Sequence, residues 1–137
     1  IMASSVVSDN FETSTGAIPN MGGADVTTRL CSAWVNFNGT GTVAIRAAYN
    51  VSSITDNAAG NYTVNFAAAM TDVNYNVSMS TTSYSNTNNT TSAVIRGNSA
   101  ANCTPELKTT TQLKVIMATA AGAGFDAADM NVMIFGG

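Results

Sequence analysis

The stretch Ala33–Phe66, AWVNFNGTGTVAIRAAYNVSSITDNAAGNYTVNF, decides the fold class. It is dense in aromatic and β-branched residues, nearly free of charge, and broken by two Asn/Gly/Asp clusters. Trp34–Phe37 and Thr42–Tyr49 are separated by Asn38-Gly39-Thr40-Gly41, which reads as a β-hairpin. Tyr62, Val64 and Phe66 alternate with Thr63 and Asn65, so one face of that strand can be buried while the other stays wet. Between them, Asn50–Thr55 continues as a strand and Asp56–Asn61 turns the chain back.

Outward from this stretch the same signals recur. Met70–Asn74 reads as a turn, and Tyr75, Val77 and Met79 alternate with Asn76, Ser78 and Ser80. Ser83–Ser92, SYSNTNNTTS, is a polar loop, Ala93–Arg96 a short strand, and Gly97–Glu106 a second loop containing Cys103 and Pro105. Thr109–Thr119 puts Leu113, Val115 and Met117 on one face and Lys114, Ile116 and Ala118 on the other, with Ile116 arguing that both are partly covered. Ala120–Asp129 is a small-residue loop or short helical turn, and Met130–Phe135 a final strand. Trp34, Phe37, Tyr49, Tyr62, Phe66, Tyr75 and Phe135 read as sheet-face residues building the core. About eight short strands without an amphipathic helix predict an all-β fold, an antiparallel β-sandwich or jelly roll over residues 29–137. Residues 1–28 carry Gly16, Pro19, Gly22 and Gly23 without a sustained period and read as an extended connector; a start at Ile1 suggests a preceding part.

Composition narrows the function classes. A chain of 137 residues is one ordinary domain. Only 9% of it is charged, against about 25% in an average globular protein, there is no His, and the formal net charge is −3. Thr, Asn and Ser carry the polarity, and such a surface responds little to salt or pH, as suits a protein that persists outside a cell. Arg29, Arg46, Arg96, Lys108 and Lys114 are scattered, so no basic stripe is present for nucleic acid. No apolar run has the length of a membrane span. Cys31 and Cys103 are either a disulfide closing a long loop, worth on the order of 4 kcal/mol, or two buried thiols.

Without His, the Ser/His and Cys/His nucleophile pairs and imidazole metal ligands are missing. A carboxylate pair could still serve glycoside hydrolysis, Asp126 with Asp129 or Asp56 with Asp72 being the close candidates, but turn roles account for these residues better. Asp56, Asn57 and Asn61 offer calcium-type oxygens at a spacing unlike an EF-hand, so a simple turn is expected and no metal or other cofactor is assigned. The sequons at Asn38, Asn61 and Asn88 are what a chain rich in Asn and Thr produces by chance. Phe125 is a loop residue anchored in the core or an exposed tip. In the Ser83–Ser92 loop, Tyr84 offers a ring that can stack on a sugar, and Asn86, Asn88 and Asn89 offer amides that can bridge hydroxyls. These four form the candidate receptor-binding set, against the alternative of a disordered polar loop.

The run from Cys31 to Arg46, CSAWVNFNGTGTVAIR, continuing through Asn50–Asn57 and Asn61–Phe66 to Met70, resembles the C-terminal domain of tailed-bacteriophage tail fibres of marine phages and prophages. Met130–Gly136 is similar to the closing strand of those proteins. The family often has Gly-Thr-Gly-Asp before the Tyr; here Ala58-Ala59-Gly60-Asn61 removes the acidic group, which weakens any metal reading of that turn. The resemblance implies a virion structural protein: the distal head of a homotrimeric fibre that touches a host-surface glycan or protein, joins other tail or virion proteins through a preceding part, and catalyses nothing. The alternatives are a purely structural fibre or decoration protein of tail or capsid and a polysaccharide depolymerase tip.

Overall fold

A computed structural model describes residues 20–21, 24–25, 30–82, 91–94, 108–119 and 124–136. Ten strands run through them: β1 (Asn20–Met21), β2 (Ala24–Asp25), β3 (Cys31–Asn38), β4 (Ala44–Tyr49), β5 (Val51–Ala58), β6 (Asn61–Phe66), β7 (Asn76–Thr82), β8 (Thr91–Val94), β9 (Gln112–Thr119) and β10 (Asp129–Phe135). β1 and β2 pair as a small separate ribbon, and the connector expectation otherwise falls on residues outside those described.

The other eight strands form two antiparallel sheets, ordered β4-β3-β10-β7 and β5-β6-β9-β8. The β3–β4 hairpin is where the Asn38–Gly41 signal puts it. The next turn is tighter than the Asp56–Asn61 cluster suggests, because β5 runs on to Ala58 through a bulge and only Ala59 and Gly60 are left to turn. Gly60 has a φ of 68°, and a Cβ there would collide with the Met117 carbonyl, so the turn needs glycine twice over. Between the sheets, the chain turns at Asn50, whose φ of 53° is one that Asn tolerates better than most residues. Its side chain donates to the Ser32 carbonyl at 3.2 Å and accepts from the Ala68 amide at 2.7 Å, pinning the crossing from β4 to β5.

The sheets face each other across one core. Ala33, Val35 and Phe37 of β3 and Met130, Val132 and Ile134 of β10 meet Tyr62, Val64 and Phe66 of β6 and Leu113, Val115 and Met117 of β9. Phe37 and Tyr62 meet edge to face across the two sheets, ring centres 5.3 Å apart. Phe66 and Tyr75 repeat that arrangement at 5.9 Å. Phe125 is half-buried and packs against the core, as an anchor. Three aromatic residues expected in the core are not there: Trp34, Tyr49 and Phe135 are exposed. The reason is the strand period. Ala33, Val35 and Phe37 point inward, so Trp34 must point outward, and Phe135 follows the inward Ile134 in the same way.

Candidate functional site

Strand directions give the sandwich two distinct ends. Leu30 enters β3 at one end, which also holds Asn50, the Ala67–Asn74 connection, Gln112 and Gly136. The opposite end gathers the β3–β4 and β5–β6 turns, the 124–128 segment, Thr82 and Thr91. Thr82 and Thr91 flank the loop that carries Tyr84, Asn86, Asn88 and Asn89. Those four residues lie outside the described part of the chain, but their anchors sit at the end remote from Leu30.

That far end is tied together by one tyrosine and one carboxylate. Tyr62 donates its hydroxyl to Asp126 Oδ1 at 2.6 Å and lies 2.9 Å from the Gly39 carbonyl. Asp126 also accepts from the Gly60 amide at 2.6 Å, while the Gly39 amide donates to the Ala127 carbonyl at 2.8 Å. Two hairpin turns and the 124–128 segment are therefore joined through groups that would cost about 1–3 kcal/mol each if left unpaired in the interior. Close approach requires glycine at position 39, where a Cβ would stand 2.6 Å from the Tyr62 hydroxyl. Burial first, then the bond to Asp126 and the charges of Asp126 and Asp56, hold the Tyr62 hydroxyl protonated far above its ordinary range. The other end has its own tyrosine: Tyr75 donates to the Thr109 carbonyl at 3.0 Å, its ring lies under the Lys108 ammonium, and burial pushes its pKa up to about 12.

The carboxylates considered for catalysis go to separate partners. Asp126 serves the turn lock, whereas Asp129 accepts from Asn36 at 2.5 Å and pairs with Arg46 at 3.2 Å. Asp72 accepts from the Asn74 amide at 2.6 Å, a turn role, and Asp56 stands opposite Tyr62 in β5. Asn57 donates to Thr63 Oγ1 at 2.9 Å and to Asn61 Oδ1 at 3.4 Å, so these amides bond each other. Among the described residues no group of three or more His, Cys, Asp or Glu is placed to hold a metal. Cys31 is a free thiol 3.1 Å from the Ala33 carbonyl; Cys103 lies outside the described residues.

The outer faces of the two sheets differ. On β5 and β6, Asn65 bonds Ser53 and Thr55 while Asn57 bonds Thr63, a ladder of amides and hydroxyls. On the other sheet, Tyr49, Trp34 and Met133 are cross-strand neighbours in one row, and Phe135 lies two residues along from Met133. Tyr49 is 58% exposed, Met133 44%, Trp34 38% and Phe135 37%. Beside this row, Asn36 donates to Asp129 and to Asn131 at 2.7 Å, and Arg46 reaches Asp129 and the Ala128 carbonyl at 2.5 Å. The sequence could have shown this row: Trp34 and Phe37 are an odd number of residues apart and cannot share a strand face.

Comparison of the chain with protein-family models, with curated proteins and with solved structures finds no match. The fold and the two surfaces define a charge-poor antiparallel β-sandwich with a locked far end and an aromatic outer face.

Proposed function

We propose that this chain is a virion attachment module: the C-terminal head of a trimeric phage tail fibre, which engages a host-surface receptor, with a glycan as the preferred ligand. The observation that carries this reading is polarity along the sandwich. The chain enters at Leu30, and the anchors of the Tyr84 loop, Thr82 and Thr91, lie at the opposite end. A domain held through its entry end would offer that loop to whatever it meets. The Tyr62–Asp126 lock supports the same reading, because a binding loop on a fixed base loses less entropy when it engages a ligand. A chain of which only 9% is charged has a surface that keeps its properties across the salt and pH range outside cells.

In this mechanism Tyr84 stacks on a sugar face, and Asn86, Asn88 and Asn89 bond neighbouring hydroxyls. The test is binding of the purified chain to immobilised bacterial surface polysaccharides and to whole cells. Wild type binds a subset of them, Tyr84→Ala and the pair Asn88→Ala with Asn89→Ala lose that binding, and excess free chain competes with phage adsorption. A folded chain that binds no surface and blocks no adsorption would point to a purely structural fibre or decoration protein. Loss of polymer length on incubation would point to a depolymerase.

A further inference from the structure

β4 is exposed along its whole length. All six of its residues are exposed, and every one except Arg46 is apolar: Ala44, Ile45, Ala47, Ala48 and Tyr49. Ala48 and Ile45 stand opposite the buried Val35 and Phe37, so they point toward the core side, yet Ile45 is 38% exposed because β4 overhangs the edge of the sandwich. Among the described strands β4 is also the outermost of its sheet, with no strand of that set paired to its free edge. An apolar edge strand open on both faces calls for a further protein layer.

We infer that a second copy of this chain covers β4 and the adjoining Tyr49–Trp34–Met133 row. This rests on the assembly half of the proposed function and names its surface. Three observations choose this occupant. The first is area: at roughly 200 Å² for a fully exposed large side chain, Tyr49, Trp34, Met133, Phe135 and Ile45 together present roughly 400 Å². That is half of the roughly 800 Å² per partner that a stable complex covers, with the β4 alanines and the Asn36/Asn131 rim still to count. It is also the size of the largest apolar patch on a typical monomer, roughly 300–600 Å², and such a patch is often functional.

The second observation is hydrogen bonding. On the flank toward Asn36 the polar side chains are committed to one another: both Asn36 amide hydrogens go to Asp129 and Asn131, and Arg46 goes to Asp129 and Ala128. That flank can be covered with little loss of hydrogen bonds, whereas a sugar placed there would need donors and acceptors that these bonds already occupy. The third is charge and shape. Arg46 and Asp129 neutralise each other, so the patch has no field to select a charged partner. Its aromatic ridge runs beside the small side chains of Ala44 and Ala47 on the same outer face, large against small, which lets a ridge on one copy seat against the alanines of another.

The test is the mass of the 137-residue chain by light scattering across a dilution series, for wild type, Tyr49→Arg, Ala48→Arg and the control Thr55→Arg on the opposite outer face. Wild type and Thr55→Arg should give the same multiple of the chain mass. Tyr49→Arg and Ala48→Arg should dissociate at concentrations at least about tenfold higher, since each buries an unpaired charge in the contact. Both carry exposed positions, and unchanged far-ultraviolet circular dichroism excludes misfolding as the cause. A monomeric wild type, or an assembly that none of the β4 substitutions weakens, overturns the inference. An assembly that behaves as expected but binds no cell surface leaves the inference standing and removes the attachment reading instead.

Discussion

The two outer faces of this sandwich are built on similar inner faces and end up with opposite chemistry. Inward, β3 and β10 contribute Phe37, Val35, Met130, Val132 and Ile134, and β6 and β9 contribute Tyr62, Val64, Leu113, Val115 and Met117, all buried. Outward, one sheet shows Asn65, Ser53, Thr55 and Asn57 bonded into a ladder, and the other shows Trp34, Tyr49, Met133 and Phe135. Burial in the core fixes one side of a strand and leaves the other to whatever the strand meets next. A hydroxyl and amide face is suited to water. An aromatic face is suited to protein, and in the proposed assembly it is the face that a second copy covers.

If the inner faces are equivalent, truncating either should be equally severe, and this is the largest effect expected. Leu113→Ala and Met130→Ala should each lower unfolding stability by about 2–5 kcal/mol in chemical denaturation. A large loss on one sheet and a negligible one on the other would break the picture of a shared core. Next in size is the far-end lock. Tyr62→Phe leaves Asp126 with one partner fewer and should cost about 1–3 kcal/mol. If the lock also bases the Tyr84 loop, the same substitution should weaken glycan binding more than an equally destabilising change at Met130.

Tyr62 and Tyr75 also set an alkaline limit. Their folded pKa values lie above the ordinary tyrosine value of about 10, so the folded protein holds protons that the unfolded chain releases. Their contribution is complete below about pH 10 and declines as pH rises toward the folded values. Phenolate absorbance from these two residues should therefore rise together with loss of circular dichroism, and Tyr62→Phe should remove part of that dependence. The smallest effect belongs to the rim. Asp129→Asn breaks an exposed ion pair and should change monomer stability by less than about 1 kcal/mol, which sharpens the comparison by separating rim charge from aromatic contact.

Much of this fold was legible in the residues. Asn38–Gly41 announced the first hairpin, and the alternation through Tyr62–Phe66 and Leu113–Met117 placed two central strands and their buried sides. The end of β5 was less legible, because Asp56 and Asn57 look like turn residues and only the bulge keeps them in the ladder. Placing all seven sheet-face aromatic residues in the core is the larger misreading. Trp34, Tyr49 and Phe135 carry the hydrophobicity of core residues, but parity along the strand sends them outward, and hydrophobicity without parity cannot tell a core from a contact face. The Tyr62–Asp126 lock was invisible for another reason: its members are far apart in sequence and meet only once both sheets have closed.

The sole tryptophan of the chain sits in the middle of the aromatic row, so it reports on that surface alone. The most direct measurement is Trp34 emission and its quenching by acrylamide over a dilution series of the intact chain. A covered face predicts blue-shifted, poorly quenched emission at high concentration that shifts red and becomes accessible on dilution, with Tyr49→Arg already in the accessible state. Emission that is equally exposed at every concentration, and identical in wild type and Tyr49→Arg, would contradict the account.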